Sequence, residues 1–119
     1  MTKLFLTMLA IGGVLFISSC GDDEDTKIDC SGVSPKYSSE VSTILNVSCA
    51  FAGCHDATTK AAGVNLSAYS ASVAATKSEK FLKSIKHESG ATAMPQGQNK
   101  LDNATIKILE CWIQNGTPQ

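Results

Sequence analysis

Cys49-Ala50-Phe51-Ala52-Gly53-Cys54-His55 places two thiols five residues apart and an imidazole directly after the second. Apolar residues at helical spacing precede this stretch and glycines punctuate the residues beyond it, so it reads as the start of a loop. Covalent attachment of haem asks for this set of groups. Two thiols must reach two vinyl groups on neighbouring pyrroles, and an imidazole fixed beside the second sulfur is aimed at iron. The common form of the motif is C-x-x-C-H. Here two further residues separate the cysteines. They can bulge outward without moving either thiol, and Gly53 eases the turn. Other chemistry stays open for the same residues. Cys49 and Cys54 could close a local disulfide. With His55 they could bind zinc, although a fourth ligand at finger-like spacing is missing. His55 could also be an ordinary exposed side chain.

Working outward, the periodicity is helical throughout. Tyr37, Val41, Ile44, Leu45 and Ser48 form the apolar spacing of a first amphipathic helix, in a folded region that starts near Pro35. Leu66, Tyr69 and Val73 predict a short second helix with Ser67 as its N-cap. A third is expected over Ser78 to Lys86, with Phe81, Leu82 and Ile85 on one face. The last is the clearest: Asp102 caps it, Ile106, Leu109, Trp112 and Ile113 make its stripe, and Asn115-Gly116 ends it. No β-alternation of useful length and no internal repeat is present. The expected class is therefore all-α, with about four short helices and long loops. Seven aromatic residues among 119 make a slight core. Domains this small often need a staple or a cofactor.

Long loops in small domains are usually functional. The loop from Ser89 to Leu101 holds Met94-Pro95. A thioether sulfur suits haem iron and raises its reduction potential. Pro95 biases Met94 away from helical backbone. A lone methionine is usually core filler, but this one lies in a polar, glycine-rich loop with little core to fill. His87 is the only histidine besides His55 and is the rival distal ligand. A bis-histidine site would have a lower potential. The plainer reading of His87 is a solvated residue between Lys86 and Glu88.

The order of these parts resembles a class I cytochrome c domain. The resemblance rests on Val41-Ser42-Thr43-Ile44-Leu45, on Cys49 to Asp56, and on Gly63-Val64-Asn65-Leu66. It continues through Met94-Pro95 and Leu101 to Cys111-Trp112-Ile113-Gln114-Asn115-Gly116. It spans Tyr37 to Pro118. It implies a cytochrome c-like fold wrapped around one covalent haem c, with Cys49 and Cys54 as thioether donors. It further implies His55 and Met94 as the axial iron ligands, and a first and last helix that pack together beside the haem. The longer spacing between the two cysteines is the departure from the usual pattern.

With that allocation Cys30 and Cys111 remain. A Cys30–Cys111 disulfide would leave no orphan thiol in a secreted chain and would pin the arm before the first helix to the last one. The other reading is a buried free Cys111 and a loose Cys30. Lys77, Lys80, Lys83 and Lys86 repeat every three residues, which on a helix makes a broad basic face. Such a face could steer an acidic redox partner or could be merely solvated.

The N-terminal part reads as an address. Lys3 precedes an apolar run from Leu4 to Ile17, the anatomy of a signal peptide and too short for a comfortable membrane span. Ile17-Ser18-Ser19-Cys20 resembles a lipobox, with Cys20 lipidated as the first mature residue. The expected organisation is a signal peptide over 1–19, an acidic tether over 20–34 and a haem domain over 35–119. Asp22-Asp23-Glu24-Asp25 repel one another and read either as a spacer or as a tag for export to the cell surface. The localisation expected is the cell envelope, lipid-anchored to the outer membrane.

Net charge is −1 and arginine is absent, which excludes a nucleic-acid or phosphate-gripping surface on bulk grounds. No Ser-His-Asp set, paired-carboxylate site or phosphate loop supports an enzyme. The expected function is a membrane-anchored mono-haem c-type cytochrome that carries single electrons between redox partners. Its competitors are a haem-free, disulfide-stapled surface lipoprotein, and a haem protein with a bis-histidine or open iron site acting as sensor or enzyme domain.

Overall fold

A computed structural model describes residues 27–119. The segment read as a signal peptide, Cys20 with the lipobox reading, and the acidic run Asp22 to Asp25 lie outside the described residues. The fold is all-α. Four α-helices, α1 (Ser42–Ser48), α2 (Tyr69–Thr76), α3 (Lys80–Lys86) and α4 (Asn103–Gln114), are joined by long loops, with no strand among the described residues. None of these helices is long and apolar enough to cross a membrane.

Helix α4 forms as its sequence dictates. The Asp102 carboxylate accepts the Thr105 N–H at 2.9 Å and the Thr105 hydroxyl at 2.7 Å, satisfying a donor the helix leaves unpaired at its start. Gly116, at φ +84°, supplies the left-handed residue after its C-terminal end. Between these caps Ile106, Leu109 and Trp112 are buried along one stripe. They meet Val41 and Leu45 from the first helical segment, Leu66, and Ile85 of α3. Val41, Leu45 and Leu109 have no exposed surface, and each such burial contributes on the order of 2 kcal/mol.

The first segment departs from a plain α-helix. Tyr37–Val41 is a π-type turn that runs straight into α1, because the Val41 N–H reaches back five residues to the Lys36 carbonyl at 3.2 Å. This turn lies against α4. The buried indole of Trp112 donates its Nε1–H to the Pro118 carbonyl at 2.8 Å, and the same oxygen accepts the Tyr37 N–H at 2.9 Å. One carbonyl thus satisfies a core aromatic and locks the C-terminus to the first segment.

Two helix starts differ from the sequence expectation. Ser67 does not cap α2: its hydroxyl and its N–H both turn back to the Asn65 side chain, at 2.7 and 2.9 Å. That local pairing competes with capping, and the helix begins beyond Ala68, which offers no side-chain cap. Helix α3 begins at Lys80 rather than Ser78. The Ser78 hydroxyl accepts the Lys80 N–H at 3.3 Å and so stands outside the helix.

Upstream of Pro35 the chain is tied to α4. Cys30 and Cys111 form a disulfide with Cα atoms 5.6 Å apart, as allocation of the thiols suggested. Gln114 Nε2 donates to the Ile28 carbonyl at 3.0 Å and Asn115 Nδ2 to the Val33 carbonyl at 3.3 Å.

The Asp102 cap has a pH signature. Hydrogen bonds from the Thr105 side chain and then its backbone N–H hold the carboxyl below its ordinary value. A carboxyl whose folded pKa is lowered stabilises the fold above the unfolded pKa, and that contribution is lost as pH falls through the folded value. Asp102→Ala is therefore expected to lower the thermal midpoint at about pH 7 and to differ little from the parent at about pH 2. Circular dichroism melts at both pH values check this.

Candidate functional site

The Cys49–His55 stretch closes on itself. Cys49 comes directly after α1, and its N–H still bonds the Leu45 carbonyl at 2.9 Å. The Cys54 N–H bonds the Phe51 carbonyl at 3.0 Å, making a tight turn whose third residue, Gly53, has φ +87°. Such a turn favours glycine at that place. The His55 N–H then returns to the Cys49 carbonyl at 3.1 Å. Phe51, Ala52 and Gly53 face solvent, while Cys49 is buried and Cys54 and His55 are half-buried. The extra residues therefore bulge outward, and the two thiols and the imidazole stay against the body of the protein.

Asp56 and Thr59 brace this bulge; the resemblance includes Asp56, but sequence alone assigns neither residue a role. Asp56 Oδ1 accepts the N–H groups of Thr58 and Thr59, at 2.8 and 3.0 Å, and the Thr59 hydroxyl accepts the Gly53 N–H at 3.2 Å. The Thr59 hydroxyl beside the carboxylate, and then the backbone N–H groups of Thr59 and Thr58, pull the Asp56 carboxyl down to about 2. Its other oxygen, Oδ2, is shut off from solvent without a partner. The residue as a whole is only half-buried, so the hydrogen bonds outweigh desolvation. An acidic residue with threonines two and three positions further on was the available signal for this turn.

His55 has a defined orientation. Its Nδ1 lies 3.3 Å from the Val64 carbonyl and donates to it, which leaves the Nε2 lone pair free. A carbonyl behind one ring nitrogen is the usual support for an imidazole that ligates metal through the other. The Leu66 N–H bonds the His55 carbonyl at 2.8 Å, so Val64 and Leu66 hold the residue from both ring and backbone.

Met94 comes from a separate loop. A cleft of about 270 Å³ is lined by Cys49, Phe51, Cys54, His55 and Ala61 from the motif and the loop after it, and by Met94, Pro95, Gln96 and Gln98 from the loop before α4. The fold thus brings together on one cavity the four residues that the resemblance assigns to haem. His87 does not line the cleft. It is exposed, and its Nε2 lies 3.0 Å from the Met94 carbonyl. A second hollow of about 330 Å³ lies elsewhere, among Ile28, Lys86, Lys100, Lys107 and Glu110. Lys86 is already paired there with Glu110 at 2.9 Å, and with Glu88 at 3.2 Å. Of the basic series, Lys77, Lys80 and Lys83 are exposed, and Lys86 is half-buried in these pairs.

The thiols bear on the alternative chemistries. Cys49 and Cys54 are free rather than joined in a local disulfide. Burial, and secondarily the neighbouring Cys54, pushes the Cys49 thiol up to about 11. A thiol with a raised pKa is a slow attacking group in disulfide exchange. Among the described residues no three His, Cys, Asp or Glu side chains gather where one metal ion could sit. Cys49, Cys54, His55 and Met94 all line the cleft, a donor set of two thiols, an imidazole and a thioether suited to a group gripped at several points. The residues present therefore fit a covalently held haem. No protein-family model, curated protein or solved structure matches the chain.

Proposed function

We propose that this chain is a lipid-anchored mono-haem c-type cytochrome, an electron carrier of the cell envelope rather than an enzyme. What carries the reading is the convergence of Cys49, Cys54, His55 and Met94 on one cleft from two separate loops. Cys49 and Cys54 would hold the group through thioether bonds, and His55 Nε2 and the Met94 sulfur would ligate its iron. Bound there, haem c supplies a one-electron ferric/ferrous couple. The chain fixes the imidazole through the Val64 carbonyl, and Phe51 and Pro95 add apolar surface to the cleft lining. With His55 and Met94 both as ligands the iron would have no open position, so no substrate need bind. The thioether favours a comparatively high potential. Exposed Lys77, Lys80 and Lys83 offer the face for an acidic redox partner. The lipid on Cys20 would keep the domain at the outer membrane.

Covalent attachment is the first test. In protein made with a cytochrome maturation system, the pyridine haemochrome spectrum is expected to be that of haem c. The haem should stay with the polypeptide through denaturation and acidic organic extraction, and Cys54→Ser should leave at most one thioether bond. Complete extraction from the parent protein would sink the proposal and favour a haem-free lipoprotein stapled by Cys30 and Cys111.

A further inference from the structure

Sequence alone makes His87 a rival ligand or a solvated bystander, but its surroundings give it another task. Helix α3 ends in a hydrogen-bonded cap. The Glu88 N–H reaches the Lys83 carbonyl at 2.9 Å and the His87 N–H the Ser84 carbonyl at 3.2 Å. That cap needs a left-handed residue, and His87 takes it at φ +57°. Glycine adopts this conformation most cheaply, so capping alone does not explain a side chain at this position.

The side chain has a partner. His87 Nε2 is 3.0 Å from the Met94 carbonyl, and facing an acceptor it must carry the proton. The Met94 N–H in turn bonds the Ser84 carbonyl at 3.0 Å. Both backbone polar groups of Met94 are therefore held by the C-terminal end of α3. Among the described residues from Ser89 to Leu101, the only other backbone–backbone bond is the internal one from the Gln98 N–H to the Pro95 carbonyl. The anchoring end is itself fixed, since Lys86 joins Glu88 to Glu110 of α4.

We propose that His87 is a positioning residue: its imidazole N–H clamps the Met94 carbonyl to the end of α3 and so holds the methionine sulfur at the haem cleft. The purpose of the clamp rests on the reading of Met94 as an iron ligand, while the clamp itself does not. A single hydrogen bond fixing the backbone of a ligand sets how often that ligand swings away. The clamp should therefore govern the ease with which an external ligand displaces it.

The test uses full-length protein from the maturation system with His87→Gly and His87→Gln. Glycine relieves the left-handed backbone and deletes the donor. Glutamine keeps a side-chain N–H at comparable reach. In His87→Gly, amide exchange at Met94 is expected to quicken roughly fivefold, the scale of one hydrogen bond, while exchange in α4 stays unchanged. Exogenous imidazole should displace Met94 from iron more readily by a similar factor, seen as loss of the methionine–iron charge-transfer band. His87→Gln should restore both readouts. A purely capping role predicts the reverse, because glycine would cap as well or better. Parental exchange and imidazole affinity in His87→Gly would overturn the clamp. Absence of covalent haem from the parent would instead overturn the proposed function, and Met94 exchange in the same proteins would still decide the clamp.

Discussion

Replacing Cys30 and Cys111 together by alanine is expected to cost about 4 kcal/mol of folding stability, in line with loop-closure estimates for a long loop. The bond spans 81 residues, so it encloses nearly all of the described chain. Cross-links that close long loops remove the most freedom from the unfolded state. The folded state is arranged to keep that gain. Cys111 is fully buried on the α4 stripe beside Trp112, and the arm it holds is also bonded through Gln114 and Asn115. Alanine at Cys111 avoids leaving a polar group in the core. Urea unfolding of the double variant, monitored by circular dichroism, measures the effect. A change below about 1 kcal/mol would show that the staple adds little to an arm already held by its hydrogen bonds. The cleft lies on other elements, so covalent haem content should be unaffected.

Met94→Ala is expected to give the largest change in redox behaviour. The variant should lose the methionine–iron charge-transfer band and show a reduction potential lower by at least about 100 mV, a fraction of the roughly 0.8 V that axial ligation spans. The cause is electronic: a thioether stabilises ferrous iron, and the water or nitrogen donor that replaces it favours ferric iron. Met94 is half-buried on the cleft wall and outside the apolar core, so the helical circular dichroism should be retained. Spectroelectrochemical titration of both proteins checks the prediction. If Met94→Ala keeps both band and potential, the distal ligand lies elsewhere. His55→Ala should prevent a normal low-spin spectrum altogether, since no other histidine lines the cleft.

The features legible in the sequence are those set by neighbours three or four residues apart. Asp102 reaches the N–H of Thr105, the α4 stripe recurs at helical period, and Gly116 comes after the last turn. Each depends on local geometry that a short window of sequence contains. The Cys-Cys-His motif is of the same kind, because adjacency ties His55 to Cys54 whatever the rest of the chain does. Where two local options compete, the window is not enough. Ser67 can cap a helix or pair with Asn65, and only the folded loop selects the second. Tertiary structure alone decided what shares a cleft with the motif. Met94 lines the same cleft as His55 while the end of α3 holds its backbone, and His87 reaches the Met94 carbonyl because that loop folds back onto the helix end. The partner of a side chain in a long loop is set by how helices pack on one another. That packing is a property of the whole core, and no short stretch of sequence contains it.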